Sequence, residues 1–407
     1  MKTNSFFYCA SLLLALGCYS LEIVASVLPM KAPLLVVVIM VKDEEAVIRQ
    51  TLQLYCKADP NGQYISYFVY DTGQETWSPT MEKAQELFKE YNVTYVIEQE
   101  PFIDFSTSRN IALRKAEQHY PNAVFMLMVD AEWYLNDVQG LLKFCFDYAA
   151  QEDITKCLIR ILSTGLDFYV ARLIRAHKNI CFEGVVHEAV REDGKGAVLV
   201  PPEIYLQYPE KPQGLEKSKR RWLRDRNLLL DEHLKNPADS RTIFYLAQTY
   251  DCLNEFESAY HFYLKRTELK GFDEEDYMAH YRLGVLCEKM IPLGTSDWAH
   301  ALQHYLNAFI LRPTRAEPLV RVAGYYINHN IFDLAFMYAY IASQIPYPSD
   351  ILFVEKELYE RIRYEIFAKS AFRIDLQVPK KMCADAQERH AREVPLERYL
   401  LSKAFPS

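Results

Sequence analysis

Hydrophobic positions fall along the first half of the chain in short, dense runs. Leu34 to Val41 (L-L-V-V-V-I-M-V) is rich in β-branched residues, Tyr64 to Tyr70 and Val93 to Ile97 follow, and Ala123 to Val129 is a seven-residue apolar run. Short apolar runs bounded by polar residues predict strands buried on both faces, as in a parallel sheet. Between them Ala46 to Tyr55, Glu82 to Tyr91 and Phe105 to Gln118 carry helical spacing, with Ser106, Thr107 and Ser108 as N-cap residues of the third. The alternation predicts a doubly wound, mostly parallel α/β sheet over residues 31–209.

The last apolar run stops abruptly at Asp130 and Glu132. Carboxylates at i and i+2 share one face of a strand. In open α/β sheets the ligand crevice lies past the carboxyl ends of the strands. Two hard oxygen ligands there suit Mg²⁺ or Mn²⁺ holding a diphosphate. The plainer reading is that Asp130 ends the strand and Glu132 is a solvated loop residue; the tripeptide alone does not separate the two.

The pattern changes in the second half. Pro201-Pro202 and Pro209 to Gly214 break it, and residues 210–239 form a charged helical linker containing K-S-K-R-R-W-L-R-D-R. That basic run can attract an acidic ligand, but its acidic neighbours point first to a solvated helix face. Helix pairs follow: Arg241 to Tyr250 with Phe256 to Thr267, Tyr277 to Glu288 with Trp298 to Leu311, and Pro318 to Asn328 with Phe332 to Ser343. The equivalent alanines Ala259, Ala301 and Ala335 lie 42 and 34 residues apart, the first interval lengthened by an insert at Met290 to Asp297. Helix pairs with a period of about 34 resemble tetratricopeptide repeats, which stack because one unit cannot bury its apolar face alone. The repeats span 240–378, with a capping helix at Phe353 to Ser370 and a charged tail at 379–407.

Composition narrows the picture. At 407 residues the chain is long enough for two or three domains. A net charge of −8 argues against a nucleic-acid binder carried by global charge. Nine cysteines show neither a CxxC pair nor zinc spacing, so they give no disulfide framework and no metal cluster. Cys145, Cys157, Cys252 and Cys287 fall in apolar surroundings. Residues 1–29 have the plan of a signal sequence or N-terminal anchor: Lys2, an apolar run from Phe6 to Leu16, then small residues. Cleavage could fall near Gly17 or Ala25. A working signal implies the secretory route or membrane association; otherwise the protein is cytoplasmic.

Four stretches of the first half together resemble a family 2 glycosyltransferase of the GT-A fold. They are Val41-Lys42-Asp43-Glu44-Glu45, Asp71-Thr72-Gly73, Phe105-Ser106-Thr107-Ser108-Arg109-Asn110 and Asp130-Ala131-Glu132. A fifth, Phe182-Glu183-Gly184-Val185-Val186-His187-Glu188, resembles the family's W-x-G-x-V-H-E stretch. The resemblance covers Leu34 to Glu188, and the motifs, each weak alone, occur in the expected order. It implies inverting, hexosyltransferase-like transfer of a sugar from a nucleotide sugar, commonly UDP-linked, to a peptide, protein or glycan acceptor. It further implies that Lys42 and Glu44 line the nucleotide pocket, Asp71 meets the base, and Arg109 faces the nucleotide or diphosphate. Asp130 and Glu132 would bind Mn²⁺ or Mg²⁺, with His187 completing the metal shell and Glu188 as the acceptor's base. The fusion to repeats resembles transferases in which such helices bind acceptor or build a homodimer.

Each residue also has a plainer reading. Lys42 and Glu44 can be a solvated charge run, Asp71 a turn opener with Gly73, Arg109 a surface ion pair, His187 a core histidine and Glu188 its partner. Arg172 and Arg175 read first as sheet-edge charges facing water and second as phosphate contacts. The departures matter: Glu132 stands where the family has Asp, Trp133 replaces a carboxylate, and Gln74 and Phe182 replace Ser and Trp. They leave open a catalytically silent transferase fold acting as a repeat-based interaction protein. A nucleotidyltransferase is a third option, without a Gly-rich phosphate loop to support it.

Overall fold

The structure, a computed structural model, describes residues 32–374 apart from 74–76, 164, 191–195 and 209–214, together with the backbone of Val24–Ala25. The rest of the expected signal segment, Gln74 and the charged tail lie outside the described residues. Strand β1 (Val24–Ala25) is followed by β2 (Leu35–Val41), α1 (Ile48–Ala58), β3 (Ile65–Asp71), α2 (Pro79–Glu90), β4 (Tyr95–Gln99), α3 (Phe105–His119) and β5 (Phe125–Val129). Then come β6 (Tyr134–Leu135), α4 (Val138–Tyr148), β7 (Ile154–Ser163), β8 (Leu166–Arg175), β9 (Phe182–Glu183), β10 (Ala189–Val190), β11 (Gly196–Leu199) and β12 (Tyr205–Gln207).

Strands β4, β3, β2 and β5 are parallel neighbours in that order. Their dense apolar runs have the expected cause, because both faces are covered. Val37, Ile39 and Val69 pack with helices α1, α2 and α4, while Val36, Val38 and Met128 pack with α3. The sheet as a whole is mixed rather than mostly parallel. Strand β8 runs antiparallel to both β5 and β7, and β1 antiparallel to β4. Only two residues separate β7 from β8, and Gly165 there takes φ +80°, so the pair is a hairpin and must be antiparallel. From β2 the chain builds β3 and β4 to one side and then returns to place β5 on the other. That reversal opens a crevice at the carboxyl ends of β2 and β5.

The helical part comprises α5 (Leu215–Lys235), α6 (Ser240–Cys252), α7 (Phe256–Thr267), α8 (Asp273–Met290), α9 (Trp298–Leu311), α10 (Glu317–Asn328) and α11 (Phe332–Gln344). Helices α6 and α7, α8 and α9, and α10 and α11 pack as pairs. Ala259, Ala301 and Ala335 are fully buried, each on the second helix of its pair. Gly284 shows how close the helices come: a Cβ there would stand 2.6 Å from the Tyr305 ring. The basic residues Lys219, Arg220, Arg221 and Arg224 of α5 face solvent. Cys145, Cys157 and Cys287 are buried, whereas Cys252 is exposed, against the expectation from its apolar neighbours. Among the described residues no helix is long and apolar enough to cross a membrane.

The stretch read as a capping helix from Phe353 begins differently. β13 (Val354–Glu355) pairs antiparallel with β8, and α12 (Arg363–Arg373) starts later. Tyr169 N–H donates to the Ile351 carbonyl at 2.8 Å and the Tyr347 hydroxyl to Asp167 at 2.5 Å, tying the far end of the helices to the sheet.

Candidate functional site

The register of the parallel strands sets the site. Val41 lies beside Asp71 and Ile39 beside Val129, so the loops after β2, β3 and β5 leave the sheet at one edge. Lys42 is exposed and Glu44 half-buried. The Glu44 carbonyl accepts from Val47 and Ile48 N–H, and its own N–H donates to Thr80 Oγ1 at 2.9 Å. Asp71 is fully buried. One carboxylate oxygen accepts the Gly73 N–H at 2.7 Å and the other the hydroxyl of Ser78, which caps α2. Asp71 therefore shapes its own turn, as the plainer reading has it. Helix α3 is capped by Asp104, whose carboxylate accepts the Thr107 N–H at 2.7 Å, not by Ser106 to Ser108. This sets Phe105 as the first helical residue and turns Arg109 inward.

Arg109 is the hub. Its Nη2 donates to Asp130 at 2.6 Å and its Nε lies 2.5 Å from Glu188. Arg172 Nη2 donates to the same Glu188 oxygen at 3.0 Å. The Arg109 side chain is 4% exposed, Arg172 9% and Glu188 6%, while Asp130 keeps 32% of its surface. Burial pushes the Glu188 pKa up, but Arg109 and Arg172 outweigh it and hold it at about 2. Burial and the neighbouring Arg109 lower that of Arg172. Among the described residues, both arginines leave a buried Nη1 without a hydrogen-bond partner. An orphaned guanidinium donor is costly to bury and is able to hydrogen-bond an anionic acceptor.

Arg172 corrects the reading that put it in water. It is buried on β8 beside the Trp133 ring at 5.1 Å and the Phe182 ring at 5.5 Å. Asn110, next to Arg109, pairs its amide with the Phe182 backbone at 2.9 and 2.7 Å, so α3 also fixes the late loop. Arg175 is buried too, but it donates to the carbonyls of Tyr148, Ala149, Gln151 and Ile154 and lies over Phe125. It ties β8 to the end of α4 and takes no part in the site. The sequence signal for Arg172 was present only in the neighbouring departure, Trp133.

His187 takes φ +52°, a left-handed backbone uncommon for a residue with a side chain. Its ring stacks on Tyr245 of α6 with centroids 4.2 Å apart and planes at 12°, and its carbonyl accepts from Arg241 at 2.9 Å. Desolvation, opposed by Glu188 and aided by Arg241 and Arg221, lowers its pKa to about 4. The residue is exposed, so solvent moderates that shift; its direction leaves the imidazole neutral at pH 7. Glu188, ionised and doubly paired, has little proton affinity in this arrangement and suits holding Arg109 better than abstracting a proton.

Among the described residues no group of three or more His, Cys, Asp or Glu side chains could hold a metal ion. Asp130 gives an oxygen to Arg109 and His187 is stacked on a tyrosine, so these two and the half-buried Glu132 do not form a cage. The residues present do not fit a cation held by protein ligands alone.

No known family profile and no curated protein matches the chain. Among solved structures it is similar to S. aureus TarS 1–349 in complex with UDP-GlcNAc, at 14% identity and TM-score 0.34, over 78% of this chain and 94% of that one. It is similar to the mannosyltransferase PcManGT from Pyrobaculum calidifontis in complex with GDP-Man and Mn²⁺, at 12% identity and TM-score 0.35, over 69% of this chain and 88% of that one. MamA from Desulfovibrio magneticus RS-1 is similar over 44% of this chain and 92% of its own, at 14% identity and TM-score 0.30. TM-scores of this size do not establish a shared fold, and the functional reading rests on the site's own geometry.

Proposed function

We propose that the chain is a glycosyltransferase that moves a sugar from a nucleotide sugar, UDP-linked by the resemblance, to a peptide, protein or glycan acceptor with inversion. Residues 31–209 would be the GT-A transferase domain, joined through the linker 210–239 to the repeats at 240–378, which would bind acceptor or a second copy. One observation carries the reading. Arg109 of α3 joins Asp130 at the end of β5 to Glu188 of the late loop, so that three separate stretches resembling the family converge on one buried ion network.

In the reaction the bond from the anomeric carbon to the diphosphate oxygen breaks, a bond to the acceptor's nucleophilic atom forms, and that atom's proton must be taken up. The two orphaned guanidinium donors are suited to the growing charge on the departing diphosphate. His187 would take up the proton, as a neutral imidazole beside Glu188. Lys42 and Glu44 would line the nucleotide side, with Asp71 shaping the turn beside them. A second reading, the silent fold acting as an interaction protein, is favoured by the pairing of both Asp130 and Glu188 with arginines.

Calorimetry with UDP on the full chain, with Mn²⁺, with Mg²⁺ and with EDTA, tests the proposal, with Asp130→Ala alongside. UDP binding that is lost in Asp130→Ala, followed by turnover of a UDP-sugar, is the expected result, and the EDTA arm reports whether a cation is needed. Binding without turnover of any sugar in a donor panel would favour the silent fold. Absence of binding for UDP and other nucleotides alike would remove the transferase reading.

A further inference from the structure

The loop from Phe182 to Val190 belongs to two cores at once. Phe182 and Val190 pack under the sheet with α3, whereas Val186 packs with Tyr245, Phe244 and Leu246 of the helical part. His187 sits where the loop crosses from one to the other, in a left-handed backbone at φ +52° that is uncommon for any residue with a side chain. Such a conformation persists only where the surroundings impose it. Two residues of α6, four apart and so on one face of that helix, supply the constraint. The Arg241 guanidinium donates to the His187 carbonyl at 2.9 Å, and the Tyr245 ring lies 4.2 Å from the His187 ring and nearly parallel to it. Arg241 lies 4.8 Å from the centre of the same Tyr245 ring.

This constraint is anchored deep in the helices. Arg241 Nη1 donates to Glu275 of α8 at 3.1 Å, and Glu275 is bridged in turn to Arg266 of α7 at 3.3 Å. Arg266 and Glu275 are both buried, and Tyr245 is 5% exposed. Backbone and ring of His187 are thus held from one helix that is itself clamped by the next two.

We propose that the helical repeats form part of the active site, with Tyr245 and Arg241 as positioning residues that fix the backbone and the imidazole of His187. The inference deepens the transferase reading and rests on it for its kinetic consequence. In this arrangement the repeats govern the rate of the chemical step as well as any acceptor they carry. Removing the stack frees the imidazole to leave its working position, and misplacement by about 1 Å can cost roughly a hundredfold in rate.

The full chain tests this with Tyr245→Leu, Tyr245→Phe and Arg241→Ala. NMR of histidine-labelled protein, with the His187 signals assigned by their loss in His187→Gln, reads the geometry directly. A stacked imidazole has ring signals shifted upfield, which move downfield in Tyr245→Leu and stay in Tyr245→Phe. In turnover of a UDP-sugar, kcat falls about ten- to a hundredfold in Tyr245→Leu and Arg241→Ala with the donor KM nearly unchanged, and Tyr245→Phe recovers most of it. His187 signals that are the same in the wild type and Tyr245→Leu would overturn the proposal. So would an unchanged kcat in both disruptive variants of an enzyme that His187→Gln inactivates. If the wild type turns over no sugar, the transferase reading fails, while the ring shifts still decide whether α6 positions His187. Arg241→Ala, altered at a partly exposed side chain, keeps the test valid if Tyr245→Leu does not fold.

Discussion

Two buried arginine networks in this protein have similar members and opposite finish. In the helical part, Arg315 is 1% exposed and its donors are all used. They reach Glu317, Asp350 and the carbonyls of Leu352 and Phe353, while Tyr277 and Tyr359 hydroxyls complete Glu317. At the sheet edge, Arg109 and Arg172 share Glu188 and Arg109 also holds Asp130, but each keeps a buried Nη1 with no partner among the described residues. A network that only supports the fold gains most when every member is satisfied. One that leaves guanidinium donors open keeps them able to donate to an anionic ligand. Arg175 sharpens the point: three residues from Arg172 on the same strand, it spends its donors on the carbonyls around the end of α4.

The largest effect should come from breaking the closed network. Arg315→Leu leaves Glu317 buried without its cation, while Asp350 keeps Arg312, and should cost about 3–5 kcal/mol in urea unfolding. Nucleotide affinity of the folded fraction should not change. A cost no larger than that of an ordinary surface substitution would mean that the network is not the support its hydrogen bonds suggest.

Next in size is a pH effect whose sign differs between the networks. Glu188 is held at about 2 against an ordinary 4.5. Its contribution is therefore complete above about pH 4.5 and is lost as pH falls towards 2, by an amount on the order of 3 kcal/mol. Thermal unfolding of the wild type and Glu188→Gln should show a stability gap that is flat from pH 5 to 7 and narrows below that. Beside the closed network, Glu274, which accepts the Leu352 N–H at 2.7 Å, goes the other way, because burial and the nearby Asp350 raise its pKa. Its protonated form is favoured by folding, so its contribution falls as pH rises through its titration. Gaps of the same sign for Glu188→Gln and Glu274→Gln would undo the distinction.

The same contrast explains what could be read in advance. Leu35 to Val41 and Phe125 to Val129 were legible because a strand buried on both faces must be apolar throughout, and Ala259, Ala301 and Ala335 because helices that touch require small residues. The β7–β8 hairpin was not, since Lys156 and Arg160 interrupt its apolar residues and no Asn-Gly marks its turn. Nor was β13, whose partner strand lies nearly two hundred residues earlier. At the site, motif order brought together Arg109, Asp130 and Glu188, whereas the role of Glu188 depends on Arg172, a contact no local pattern specifies. Tyr245 and Arg241 were visible only as members of a helix face, because periodicity tells which side is buried but not against what.

The smallest stability effect, and the most discriminating, belongs to Asp130. With 32% of its side chain in water, its pair with Arg109 is solvent-screened on one side. Glu188 remains to neutralise Arg109 when Asp130 is gone, so Asp130→Asn should cost about 1 kcal/mol or less in chemical unfolding. Its effect on UDP binding should nevertheless be complete or nearly so, because it follows the carboxyl end of β5, where β2 and β5 part. The group that matters least to the fold would then matter most to the ligand, the reverse of Arg315. A stability loss matching that of Arg315→Leu, with UDP binding preserved, would place Asp130 among the structural groups and leave the two networks alike in purpose.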